Sequence, residues 1–146
     1  MDRSNPADAF LDKFKRKIKN IIRKPGRLYF EVDDKDIREV AAYVFRELGC
    51  RLSTATATEV YDAIEVLYQF SHDPSGWYFC PRVRITDKKN PTMNSITPVV
   101  KGAEWIEREM FDFWGVTFRD HPRPERLLAR EHPRNLDKPY RFGRIS

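Results

Sequence analysis

A chain of 146 residues, 40% hydrophobic and 34% charged, fits one globular domain with a core of its own and a heavily solvated surface. No apolar stretch approaches the roughly 20 residues of a bilayer span, and Met1-Asp2-Arg3-Ser4-Asn5-Pro6 lacks the basic-then-apolar order of a secretory signal. Cys50 and Cys80 stand far apart outside any CxxC pattern, which excludes a cysteine-built zinc or iron–sulfur site and points to a reducing compartment.

The net charge of +5 is unevenly spread: residues 10–27 carry eight basic residues and one acid, residues 119–146 eight and four. Residues 28–118 hold ten basic residues against fifteen acids. An acidic body with basic ends could meet nucleic acid, anionic lipid or an acidic protein surface.

Asn5-Pro6 reads as a helix cap and first helical residue, opening a helix to Arg23. Its apolar stripe is Phe10, Leu11, Phe14, Ile18, Ile21 and Ile22, set among lysines and arginines. This stripe packs on a sheet or, as the alternative, lies on anionic lipid. Lys24-Pro25-Gly26 ends the helix. Leu28, Phe30 and Val32 then alternate as in a half-buried strand. Asp33 or Asp34 caps a second helix with the stripe Ile37, Val40, Ala41, Val44, Phe45 and Leu48, closed by Gly49. Residues 51–58, 63–70 and 77–85 alternate as strands, the last two forming an antiparallel hairpin around His72-Asp73-Pro74-Ser75-Gly76. Pro81 predicts an edge strand or a bulge.

Residues 103–114 form a third helix stopped by Gly115, with Ile106, Met110, Phe113 and Trp114 as core stripe. Glu107, Arg108, Glu109 and Asp112 read as its solvated charged face, and Glu104–Arg108 and Arg108–Asp112 are spaced for helical ion pairs. The order helix, strand, helix, three strands, helix predicts an α/β (α+β) sandwich of helices on a mostly antiparallel four-stranded sheet. Residues 1–118 would form this domain. Residues 119–146, rich in proline and arginine, would be an extended basic tail that is disordered or docks on a partner.

Catalytic signatures are scarce. There is no phosphate-binding glycine loop, and His72, His121 and His132 have no metal-ligand spacing. Glu107 and Glu109 as an acid–base pair would point in different directions on a helix. A small basic nucleic-acid-binding protein is the alternative reading, weakened by aromatics that alternation assigns to the core and by the lack of an RNA-binding motif.

The segment Trp105-Ile106-Glu107-Arg108-Glu109-Met110-Phe111-Asp112-Phe113-Trp114-Gly115-Val116-Thr117-Phe118, with Ser95-Ile96-Thr97 before it and His121-Pro122 and Arg126-Leu127-Leu128 after it, resembles the 30-kDa family of respiratory complex I. That family includes the equivalent subunits of energy-converting NiFe hydrogenases and formate hydrogenlyase. The resemblance spans residues 95–128.

Asp120 stands where the family pattern has glycine before His-Pro, Arg123 where it has an acid, Glu125 where it has a basic residue, and Trp114 where it has a smaller apolar one. These departures, and the short stretch after the motif, incline the expectation toward the energy-converting hydrogenase type, with NADH:quinone oxidoreductase next. The resemblance implies a non-catalytic subunit of the hydrophilic arm, peripheral on the cytoplasmic face of the membrane, with no cofactor of its own. It would clamp a NiFe-hydrogenase-like large subunit, beside an iron–sulfur small subunit and a ferredoxin-like subunit. Iron–sulfur clusters and NiFe would belong to those partners. The motif or partner-binding residues the resemblance implies are Glu107, Arg108, Glu109, Asp112, Gly115, Phe118, His121, Pro122, Arg126 and Leu127. The charged four would form ion pairs and hydrogen bonds either across an interface or inward, to pin His121 and Arg126 in the loop.

Overall fold

The structure is a computed structural model and describes residues 5–122. Helix α1 (Pro6–Phe14) starts as expected, with Asn5 accepting from the Ala7 amide at 2.8 Å. It then stops at Phe14, and Ile18–Lys24 is strand β1 instead of helix. Two local causes favour this correction. Lys15, Arg16 and Lys17 offer no apolar side chain to continue the stripe, and the β-branched Ile18, Ile21 and Ile22 prefer extended backbone. Gly26, at φ +74°, turns β1 back along β2 (Arg27–Val32).

The sheet therefore has five strands, one more than expected, in the order β1-β2-β5-β4-β3. Strands β3 (Arg51–Val60), β4 (Ala63–His72) and β5 (Trp77–Ile85) form an antiparallel meander. β2 pairs with β1 antiparallel and with β5 parallel, so the sheet is mostly antiparallel. The expected β4–β5 hairpin is present, closed by the Gly76 amide donating to the His72 carbonyl at 2.9 Å. Pro81 lies in a central strand and not at an edge. The ladder accommodates it by skipping from Leu67–Arg82 to Phe70–Phe79, because proline has no N–H to give.

Helix α2 (Asp34–Ala42) continues through a π-helical turn (Tyr43–Glu47) before Gly49. Phe10 of α1 stacks on Phe30 and Phe79, while Ile37, Val40 and Val44 of α2 join the same core. After β5 the chain forms β6 (Thr92–Asn94), a 3-10 turn, α3 (Glu104–Trp114) and β7 (Thr117–Arg119). β6 and β7 pair parallel as a second, two-stranded sheet with Met93 opposite Phe118. Three-residue strands give too little alternation to be seen in the sequence.

Candidate functional site

The sequence motif folds into one block: β6, the loop through Ser95–Thr97, α3, β7 and His121. Its centre is Glu107. The residues around it on α3 suggest a solvated charged face, yet Glu107 has no exposed surface. Oε1 accepts from the hydroxyls of Ser95 at 2.5 Å and Thr97 at 2.7 Å. Oε2 accepts from the Tyr68 hydroxyl at 2.7 Å and the Ile96 amide at 3.0 Å. A buried carboxylate is costly unless its lone pairs are filled. Here each oxygen has two donors. The arrangement fastens the 95–97 loop and strand β4 to the inner face of α3.

Glu107 reaches this position because Ala103, Glu107 and Met110 share the helix face turned inward, and all three are buried. Tyr68, fully buried beside it, has its phenol held well above the usual range by burial first and then by the charge of Glu107. Asp112 is also buried, whereas Glu109 is exposed and accepts from the Trp105 indole at 2.7 Å. The charged cluster thus divides between the interior and the surface. Gly115 ends α3 in a left-handed conformation at φ +74°, its amide donating to the Phe111 carbonyl at 3.0 Å. Val116 and Phe118 are buried just beyond it.

A second set of contacts ties the block to α2. Arg38 donates from Nε to the Ser95 carbonyl at 2.8 Å and pairs with Asp120 at 3.2 Å. Arg119 bonds Asp34 Oδ2 at 2.7 Å and Asn94 Oδ1 at 2.8 Å. Asp120 has φ +66°, the left-handed region that glycine enters freely and that aspartate tolerates better than most residues. This explains both the glycine usual before His-Pro in the resemblance and why aspartate can stand there. His121 is nearly buried, and its Nε2 donates to the Glu104 carbonyl at 3.0 Å. Pro122 is exposed. Arg126 and Leu127, with most of the expected tail, lie outside the described residues.

The outward side of the block carries two shallow depressions. Trp105 is 56% exposed, and with Lys101, Gly102, Glu104 and Arg108 it lines a shallow hollow. On the other flank, Ile106, Met110, Phe113 and Trp114 of α3 line a groove with Ala55, Thr56 and Ala57 of β3. Among the described residues no group of three or more His, Cys, Asp and Glu could hold a metal, and no helix is long and apolar enough to cross a membrane. Of the site residues, Tyr68, Arg38 and Asp34 carry no sequence signal for the contacts they make here. Glu107 does carry one, a four- and three-residue spacing with Ala103 and Met110.

Comparison with known proteins gives a consistent result. Residues 30–142 match the profile of the family described as respiratory-chain NADH dehydrogenase, 30 Kd subunit. The C subunit of the NADH-quinone oxidoreductase of Rhodobacter capsulatus is 30% identical over 125 residues, covering 78% of this chain and 61% of that protein. The J subunit of the NAD(P)H-quinone oxidoreductase of Prochlorococcus marinus is 42% identical over 50 residues, covering 34% of this chain and 27% of its own length. The chain thus spans less than two thirds of either relative.

Two solved structures share the fold. The trypsin-resistant fragment of Nqo5 superposes with TM-score 0.67 at 20% identity, covering 80% of this chain and 98% of the fragment. A chain of the membrane-bound sulfane sulfur reductase, an archaeal respiratory membrane complex, superposes with TM-score 0.72 at 22% identity, covering 87% and 76%.

Proposed function

Since the chain belongs to the respiratory-chain NADH dehydrogenase 30 Kd subunit family, we propose that it is a non-catalytic docking subunit of a complex-I-like membrane-bound redox complex. Its relatives are named as subunits of quinone oxidoreductases. The observation that carries the docking role is α3: its inner face is pinned through Glu107 while Trp105 stands 56% exposed beside Arg108. An aromatic and an arginine on a rigid helix are the side chains that anchor protein interfaces. The partner proposed for this surface is a NiFe-hydrogenase-like large subunit, with iron–sulfur and ferredoxin-like subunits in the same assembly. Redox cofactors would sit in those chains, and this one would lie on the cytoplasmic face, held through the complex.

The finer assignment is to the energy-converting NiFe hydrogenase type before NADH:quinone oxidoreductase. Its support is the set of departures from the family pattern at Trp114, Asp120, Arg123 and Glu125. Nothing in the site or the comparisons favours nucleic-acid binding.

Affinity purification of the chain from detergent-solubilised native membranes, followed by mass spectrometry, tests this reading. Recovery of a NiFe-hydrogenase-like large subunit with iron–sulfur partners is the expected result, and intact nickel-ligand cysteines in that subunit would select the hydrogenase type. Recovery of the chain alone, or with nucleic acid, would overturn it.

A further inference from the structure

Strand β1 lies at the sheet edge opposite β3, far in sequence from the motif, and among the described residues pairs only with β2. Its segment holds the densest run of positive charge in the chain, eight cations and one acid over residues 10–27. Part of that charge is neutralised within the fold: Lys17 pairs with Glu39, Lys19 with Glu31 and Asp33, and Arg23 with Asp8. Lys15, Arg16 and Lys24 are exposed and form no ion pair among the described residues. Arg27 and Lys24 lie over the rings of Tyr78 and Tyr29 at 5.8 and 5.9 Å. Amid these cations stand Ile21 and Ile22, 43% and 49% exposed. An apolar centre within a polar, one-signed rim is how a protein interface is built.

Two features narrow the kind of contact. The backbone of β1 is a poor template for another strand, because its register shifts between Lys19 and Ile22 and Asn20 sits at φ +52°. A bulge together with lysines is how sheet edges resist strand addition. Recognition here must therefore run through side chains. Neighbouring residues of a strand also point to opposite faces. A flat bilayer can cover Ile21 or Ile22, whereas a cleft straddling the edge covers both.

We propose that the β1 edge is a second docking surface, which inserts Ile21 and Ile22 into an apolar-floored cleft lined by acidic side chains on a neighbouring protein subunit. The proposal rests on the reading of the chain as part of a larger complex and identifies one class of neighbour by its charge.

The test places the photo-crosslinking residue benzoylphenylalanine in place of Ile22, in the full chain expressed in its native cells, and irradiates the purified complex. The expected product joins position 22 to a co-purifying subunit at a segment where acids outnumber basic residues. Its yield falls in high salt and in a Lys15→Glu, Arg16→Glu, Lys24→Glu variant whose unfolding midpoint is unchanged. If the chain purifies with the complex but position 22 gives no crosslink, or one to lipid or to a segment without excess acid, the β1 proposal fails and the family role stands. If the chain purifies with no redox subunit, both readings fall. In parallel, the full chain is mixed with phosphatidylglycerol–phosphatidylcholine vesicles and with a single-stranded oligonucleotide. Binding to either that the triple variant abolishes would reassign the surface and overturn the proposal.

Discussion

The hydroxyl of Tyr68, at the middle of β4, donates to Oε2 of Glu107 at 2.7 Å, and neither side chain has any exposed surface. The Ile96 amide fills the same oxygen, and an amide N–H can only donate. A glutamine at 107 that keeps its oxygen toward the Ile96 amide would set an NH2 against the Ser95 and Thr97 hydroxyls, which would have to turn from donors into acceptors and leave their own protons without this partner. Glu107→Gln is expected to lower unfolding free energy by about 2–4 kcal/mol, and Tyr68→Phe by about 1–2 kcal/mol. Urea denaturation of the purified chain measures both. A Glu107→Gln change below that of Tyr68→Phe would contradict the central place given to the carboxylate.

Asp120 offers a sharper comparison. Glycine there relieves the left-handed backbone but gives up the pair with Arg38, whereas alanine loses the pair and keeps the strain. Asp120→Gly should stay within about 0.5 kcal/mol of the parent, and Asp120→Ala should be destabilised by about 1 kcal/mol. Equal values for the two variants would show that backbone conformation is not the deciding factor at this position.

Alkaline pH should unfold the protein through groups the fold keeps protonated. Burial, with help from Asp73, pushes the Cys50 thiol from 9.0 up to about 12, and burial pushes Cys80 to about 11 against the opposing charge of Arg27. Burial and then Glu107 raise Tyr68 from 10.0. All these folded-state values lie above the unfolded ones. The associated stability is therefore complete below about pH 9 and drains away as pH rises from about 9 through about 12. Denaturant midpoints across that range should fall, and less steeply in a Cys50→Ala variant compared with its own neutral-pH value.

Trp105 separates docking from folding. Its side chain stands mostly in water, so Trp105→Ala should change stability by no more than about 0.5 kcal/mol. Retention in the purified complex should drop clearly, as expected when an aromatic anchor is removed from an interface. Full retention would move the docking surface elsewhere on the chain.

The meander, α2 and α3 are legible in the sequence because each has a long apolar period. β1 is not, because Phe10, Phe14, Ile18, Ile21 and Ile22 also fit a helical stripe, and pairing with β2 overrides that local pattern. Pro81 misleads for a related reason: a strand can keep proline at its centre if the ladder skips that position. Glu107 stands in the motif that carries the family resemblance, yet its charged neighbours suggest solvent. Its donors are scattered from Tyr68 to Thr97, and only tertiary structure brings them together. Asp120 is visible as a departure from the family pattern. Its positive φ supplies the physical reason for the pattern itself.

The parallel pairing of β2 with β5 shapes how the chain must assemble. The β3–β4–β5 meander closes through local hairpins, so it can form early. β2 can pair with β1 at once but finds its other sheet neighbour, β5, only after α2, β3 and β4 have been synthesised. Until then Leu28, Phe30 and Val32, all buried in the native sheet, lack the β5 side of their core and have only the apolar residues of α1, β1 and α2 to pack against. The nascent chain thus carries an early helix–hairpin with an unfinished apolar face, and β5 converts it into part of a sheet. Substitutions that slow the meander, such as a polar residue at Val66, should therefore prolong the exposure of the N-terminal third and raise its tendency to aggregate.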